Sequence, residues 1–230
     1  METVNSESQP PERKRKVLLV DDHPVLREGL AKLINGENDL VVCAQARSAP
    51  EALVAIEHSR PDAVVLDLSL SEGHGLELIK EIRARHNPVP ILVFTMFEDT
   101  SYALRALRAG AQGYLNKQES SERLVNGLRA ILAGHYAFDA EVTKICLEAS
   151  LRPVATATDP RDRLGDRELE VFELLGKGIG TRKIATQLGR SVKTIETYRA
   201  RIKRKLNLKN GNELIREAVR WVERRGSGLE

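Results

Sequence analysis

Two stretches decide the fold: Val17-Leu18-Leu19-Val20-Asp21-Asp22-His23 and Val64-Val65-Leu66-Asp67-Leu68-Ser69-Leu70. Each begins as a short, wholly apolar run and ends abruptly in aspartate. A strand with no polar residue on either face is covered on both, the habit of parallel sheets layered between helices. Further runs of this kind occur at 40–44, 91–94 and 113–115. Amphipathic stretches with helical spacing separate them, at 24–34, 49–58, 75–85, 100–109 and 121–132, the first with a proline in its opening turn. Five βα units in succession predict an α/β doubly wound domain on a five-stranded parallel sheet. Such sheets bind ligands beyond the carboxyl ends of their strands.

Those ends carry polar residues in order. Asp21 and Asp22 close the first strand, Asp67 the third and Thr95 the fourth, and Lys117 follows the fifth. Carboxylates gathered at one sheet edge repel one another unless a cation lies among them. Mg²⁺ meets that need: it prefers oxygen ligands in octahedral geometry and keeps several waters, so two carboxylates and a backbone carbonyl suit it. Such an ion also offsets the charge of an incoming phosphoryl group and helps make Asp67 a nucleophile. The Lys117 ammonium and Thr95 hydroxyl are then placed for phosphoryl oxygens. Taken singly, each aspartate reads as a helix cap or turn residue, Thr95 as a β-former, and Lys117 and His23 as a solvated side chain and a loop histidine. The ordered set points to a phosphoryl-accepting pocket.

Residues 136–163 change character. A short amphipathic piece at 140–149 leads into a stretch with two prolines and no apolar periodicity, which reads as a linker. From Asp166 onward the pattern is purely helical, at 167–175, 181–188, 194–206 and 212–224. The expected organisation is a flexible start (1–15), an α/β domain (16–135), a linker with a short helix (136–163), a small all-α domain (164–225) and a tail (226–230).

Net charge is +3, unevenly spread: residues 161–230 hold 18 Lys and Arg against 10 Asp and Glu, and the remainder holds 18 against 23. A basic half on an acidic half points to a nucleic-acid partner for the carboxy-terminal domain. The helices at 181–188 and 194–206, joined by a short turn, have the layout of a helix-turn-helix. On a helical wheel Ile195, Tyr198, Ile202 and Leu206 share one side, as a core stripe. Early residues of the second helix reach base edges best, which selects Glu196, Thr197, Ala200 and Arg201. Glutamate accepts from cytosine N4, threonine and alanine pack on a thymine methyl, and arginine grips guanine. Lys193, Thr194, Lys203, Arg204 and Lys205 are the candidates for phosphates.

Apolar runs of four residues are far short of the roughly 20 that cross a bilayer. The polar start, ending in Arg13-Lys14-Arg15-Lys16, lacks a signal-peptide core. The expected location is the cytoplasm, without membrane contact. Cys43 and Cys146 have no metal-ligand spacing and read as inert thiols.

The two opening stretches, with Leu92-Val93-Phe94-Thr95-Met96 and the run from Ala109 through Tyr114 to Lys117, resemble the flavodoxin-like receiver domain of two-component response regulators. That resemblance implies phosphorylation of Asp67 by a histidine kinase. It makes Asp22, Asp67 and the Ser69 carbonyl direct Mg²⁺ ligands, with Asp21 acting through water, and Lys117 a phosphoryl contact. Thr95 and Tyr114 become a switch pair, the hydroxyl drawn to the phosphoryl group and the ring turning inward behind it. Ser71 stands where receivers usually have proline, and Gln118 where proline often follows the lysine. Arg167-Glu168-Leu169 onward, Lys183-Ile184-Ala185 and Ser191-Val192-Lys193-Thr194-Ile195-Glu196 resemble the LuxR-type helix-turn-helix of NarL/FixJ-type regulators. Gly165 takes the place of a usual threonine cap, Tyr198 of a histidine and Glu196 of a frequent lysine.

The expected protein is a phosphorylation-dependent transcription regulator that binds promoter DNA, dimerises when phosphorylated and is no enzyme beyond phosphoryl transfer to its own Asp67. Two rivals remain: a Mg²⁺-dependent phosphohydrolase using Asp67, and a DNA-binding regulator indifferent to phosphorylation.

Overall fold

The alternating pattern folds as β1 (Arg15–Val20), α1 (Pro24–Asn35), β2 (Leu40–Ala46), α2 (Ala49–Ser59), β3 (Ala63–Leu66), α3 (Gly75–Ala84), β4 (Ile91–Thr95), α4 (Thr100–Ala109), β5 (Gly113–Asn116) and α5 (Ser121–Leu132). Four helices follow: α6 (Asp166–Gly176), α7 (Thr181–Gln187), α8 (Val192–Lys205) and α9 (Gly211–Gly226). The computed structural model describes residues 13–70, 74–85, 87–97, 100–140, 142–144 and 164–226. These fall into two compact units dividing between Thr143 and Lys144.

In the first unit the strands lie in the order β2-β1-β3-β4-β5, every neighbouring pair parallel. The chain steps from β1 to β2 on one side and crosses back to β3 on the other. The ends of β1 and β3 therefore flank the topological switch point, where open parallel sheets leave a crevice. Val20 pairs with Leu66, so Asp21 and Asp67 leave the sheet side by side. Val17 and Leu19 pack with Ile34, Leu40, Leu92, Leu128 and Ile131 in one buried cluster. That burial, on a sheet covered from both sides, is what the uninterrupted apolar runs encode.

Several boundaries differ from the sequence pattern. β1 begins at Arg15, inside the segment assigned to the flexible start, because its backbone N–H donates to Asp39 O at 2.8 Å and its guanidinium lies 3.8 Å from Asp62. α8 begins at Val192, two residues early, since the Ser191 hydroxyl accepts from Thr194 N at 3.1 Å and caps the helix. α9 runs to Gly226, the first residue assigned to the tail. The helix anticipated over 140–149 and the linker fall outside the described residues beyond Lys144, as do Cys146, Ser71 and the remainder of the tail.

The second unit packs its helices around Leu169, Phe172, Ile184, Ile195, Ile202, Leu214 and Trp221. The Phe172 and Trp221 rings meet at 5.6 Å between centroids. Gly165 caps α6 without a side chain, yet the Glu168 carboxylate accepts from Gly165 N at 2.7 Å, supplying half of a capping box. Among the described residues no helix is long and apolar enough to cross a membrane. Burial pushes the Cys43 thiol up, which keeps it protonated and unreactive.

Candidate functional site

The register of the sheet assembles the pocket. Asp67 N donates to Val20 O at 2.9 Å, fixing the end of β3 against the end of β1. Thr95 pairs with Asn116 across β4 and β5, and Lys117 N donates to Thr95 O at 2.8 Å, so the lysine emerges beside the threonine. Its ammonium then reaches two strands further, donating to Asp21 Oδ2 and Asp67 Oδ2 at 2.7 Å each. The three side chains are 4%, 4% and 2% exposed. Burial raises the Asp67 pKa, and the Asp21 charge adds to the rise; Lys117 and a backbone hydrogen bond from Ser69 oppose it.

Gly75, at the start of α3, packs directly on this strand end. A Cβ there would lie 2.6 Å from Asp67 O and from Leu68 Cα. Its N–H donates to Leu68 O at 3.1 Å, so only glycine lets α3 approach the turn after Asp67 this closely. His74, fully buried, caps the same helix by accepting from Leu76 N.

Asp21, Asp22 and Asp67 offer carboxylate oxygens, and His23 a ring nitrogen, all within 4.8 Å of one another. Opposite ligands of octahedral Mg²⁺ lie about 4 Å apart, so small side-chain adjustments seat one ion among these oxygens. Among the described residues, Asp67 Oδ1 and Thr95 Oγ1 are buried at this strand edge without a hydrogen-bond partner. The first is a free carboxylate oxygen for a cation, the second a donor for an anion. The donor set fits a hard divalent ion.

His23, expected as a loop residue, turns into the cluster. As the N-cap residue of α1 its ring nitrogen lies 3.1 Å from Asp21 Oδ1 and 3.0 Å from Asp22 Oδ1. Tyr114 is 5% exposed and its hydroxyl donates to Phe97 O at 2.7 Å. The Phe97 ring stacks on Tyr102 of α4 at 4.4 Å, an aromatic contact that periodicity did not assign. The Lys117–Gln118 bond is trans.

The second candidate surface is α8 with the turn before it. Gly189 holds φ at +58°, a left-handed conformation that glycine adopts without strain, and so lets α7 and α8 turn sharply. Ile195 and Ile202 are buried, Tyr198 and Leu206 half-buried, as the wheel required. Lys193, Glu196, Thr197, Ala200, Arg201 and Arg204 are exposed; Thr194 and Lys203 are half-buried. Thr194 shares its hydroxyl with Ser191 at 2.8 Å, and the Thr197 hydroxyl donates back to Lys193 O at 3.0 Å.

Two basic residues of α8 face inward instead. The Lys205 ammonium donates to Glu168 Oε2 at 2.6 Å and so ties α8 to the start of α6, which removes it from the phosphate candidates. Arg199 donates to the Thr181 hydroxyl at the start of α7. Arg182, Lys183 and Arg190 on α7 and the turn are exposed and extend the basic surface. Their signal was present in sequence, as charges on the helix that crosses ahead of the second one.

A family model for the response regulator receiver domain matches residues 17–129, and one for bacterial regulatory proteins of the luxR family matches residues 162–218. The oxygen regulatory protein NreC of Staphylococcus epidermidis is 35% identical over 211 residues, 89% of this chain and 97% of that protein. A LuxR-family two-component response regulator from Aurantimonas sp. is 36% identical with a TM-score of 0.56, over 61% of this chain and 100% of that one. RcsB from Salmonella enterica serovar Typhimurium, solved bound to a promoter in the presence of a phosphomimetic beryllofluoride, is 26% identical with a TM-score of 0.58, over 88% and 98% of the two chains. With both halves matched in this order, the chain belongs to the two-component response regulators of the NarL/FixJ type, a receiver domain followed by a LuxR-family domain.

Proposed function

We infer that this chain is a transcription regulator whose Asp67 accepts a phosphoryl group from a histidine kinase and whose second domain binds promoter DNA. The observation that carries the reading is the Lys117 ammonium shared between buried Asp21 and Asp67, beside the unpartnered Asp67 Oδ1 and Thr95 Oγ1. An Asp67 oxygen attacks phosphorus; the bond to the donor imidazole breaks, and its electron pair leaves on the imidazole nitrogen. Asp22, Asp67 and the Ser69 carbonyl, with Asp21 beside them, would hold Mg²⁺, which when bound would offset charge on the phosphoryl group. Lys117 exchanges its carboxylate partner for a phosphoryl oxygen, and the Thr95 hydroxyl donates to another. Transfer stops at the aspartyl phosphate, so the protein is not a turnover enzyme.

On the DNA side, Glu196, Thr197, Ala200 and Arg201 face base edges, and Lys193, Thr194, Lys203 and Arg204 set register on phosphates. The phosphorylated protein is a homodimer presenting two such helices to paired half-sites, in the cytoplasm. The test treats the full chain with an acyl phosphate and Mg²⁺ and follows intact mass, oligomeric size and DNA affinity. One phosphoryl group added to the wild type and none to Asp67→Asn, with tighter binding only for the wild type, is expected. Equal labelling of both proteins, or unchanged affinity on labelling, would overturn the proposal.

A further inference from the structure

We propose that Glu196 is a specificity-determining residue that reads a cytosine amine, flanked by thymine methyls met by Val192 and Ala200. The inference rests on the DNA-binding reading above and names the chemistry of its target. Val192, Glu196 and Ala200 fall at successive four-residue steps along α8, and all three are exposed. Val192, at 39% exposure, is a branched apolar side chain turned to solvent in the first turn of the helix. Thr197, beside them, has its hydroxyl occupied by Lys193 O, so it presents its methyl outward. The strip is therefore methyl, carboxylate, methyl.

The carboxylate is the unusual part. Among the described residues no hydrogen bond or ion pair engages Glu196, although Lys193, Arg201 and Arg204 are exposed on the same helix. On a surface that approaches phosphates, an unpaired anion is repelled by the backbone and gains only from a donor in the groove. The major groove offers two donor groups, the cytosine N4 and adenine N6 amines. An acceptor-only carboxylate suits cytosine, whose major-groove edge presents the amine alone. Adenine adds its N7 acceptor beside the amine, which a carboxylate cannot satisfy. Four residues of helix advance about 6 Å, close to two base-pair steps of about 3.4 Å. The methyl contacts then fall within about two base pairs on either side of the cytosine, and the preferred half-site contains a short pyrimidine-rich stretch.

The test selects bound duplexes from a random pool with full-length wild type and Glu196→Ala, followed by affinities on the selected site. The expected result is a cytosine invariant for the wild type and free to vary for the variant, with flanking positions enriched in thymine for both. A pyrimidinone base, which is cytosine without its exocyclic amine, lowers wild-type affinity about 5- to 150-fold more than it lowers that of the variant, the ratio cancelling the shared effect of the lost base-pair hydrogen bond. Uracil in place of the flanking thymines weakens both proteins. Since Glu196 is exposed in mid-helix, alanine keeps the fold, which circular dichroism verifies. Identical selected sites for the two proteins would overturn the assignment while leaving DNA binding intact, as would an adenine in the Glu196-dependent position. Failure of the wild type to select any sequence would overturn the DNA-binding reading, and this assignment with it.

Discussion

Replacing Lys117 by methionine keeps an unbranched side chain and removes the ammonium that reaches both Asp21 and Asp67. At 2.7 Å, each contact is worth about 6 kcal/mol of Coulomb attraction at an effective dielectric constant of ~20. Desolvation of three side chains, each at most 4% exposed, consumes most of this in the wild type. In the variant the two carboxylates stay buried without their cation, so the expected loss is about 3–5 kcal/mol, a large share of a stability of about 5–15 kcal/mol. The assay is urea unfolding followed by far-UV circular dichroism and amide hydrogen exchange, because the single tryptophan, Trp221, lies in the second unit and does not report on the first. The sign of the pH dependence follows from Asp67. Burial already raises its pKa against the pull of Lys117, and without the ammonium the native state holds its protons more tightly still. The unfolded chain titrates near 3.8, so folding takes up protons and stability falls as pH rises from that value through the raised native pKa. The loss is small near the ordinary carboxylate range and grows as pH rises above it. Adding Asp67→Asn to Lys117→Met recovers part of it, as the coupled charges demand. A loss below about 1 kcal/mol, or one independent of pH, would show that these contacts behave as screened surface pairs and would refute the argument.

Asp67→Asn alone removes a carboxylate whose ionisation is costly in the fold, so in the absence of divalent ions it raises the unfolding midpoint at neutral pH. Mg²⁺ is expected to raise the wild-type midpoint and to leave that of Asp67→Asn unchanged; an equal Mg²⁺ effect on both proteins in thermal unfolding would contradict this. Gly75→Ala forces a Cβ to within 2.6 Å of the Asp67 carbonyl, with an expected cost of about 1–3 kcal/mol and slower labelling by an acyl phosphate, read by denaturation and intact mass. Arg204→Ala lowers the slope of log affinity against log salt by about 1, whereas Lys205→Ala leaves it unchanged and destabilises the second unit instead. Salt titrations of both variants on one duplex distinguish the two lysine and arginine roles.

The receiver fold was legible because buried parallel strands are written as unbroken apolar runs and their helices as a different period. The acids were legible for the same reason: each follows its run directly. Contacts across elements were not. Periodicity places Lys117 at a strand end but does not say that its ammonium spans two strands to Asp21 and Asp67. His23 turned into the acidic cluster because its place as the N-cap of α1 aims the ring back toward Asp21 and Asp22, a geometry that residue type alone does not specify. Lys205 shows the limit best. It belongs to a basic run and reads as one more phosphate contact, yet Glu168, 37 positions earlier, claims it. A wheel assigns faces within one helix and is silent on which neighbouring helix covers the end of that face.

The same limit applies to the switch pair, and here the structure adds a constraint. Thr95 and Tyr114 were expected to respond together, the hydroxyl to the phosphoryl group and the ring to the space behind it. What joins them is the three-residue path from Thr95 to Phe97. The Tyr114 hydroxyl is bound to the Phe97 carbonyl, while the Phe97 ring is held by its stack on Tyr102. Thr95, by contrast, keeps its hydroxyl buried and unpartnered. A displacement of the Thr95 backbone passes through Met96 to Phe97. The backbone through Met96 either carries Phe97 with it, breaking the Tyr114 hydrogen bond or the Tyr102 stack, or holds Thr95 back from the phosphoryl group. Coupling between the pocket and the face of α4 would need no long pathway: Met96 alone separates Thr95, the expected phosphoryl contact, from Phe97, whose ring stacks on Tyr102.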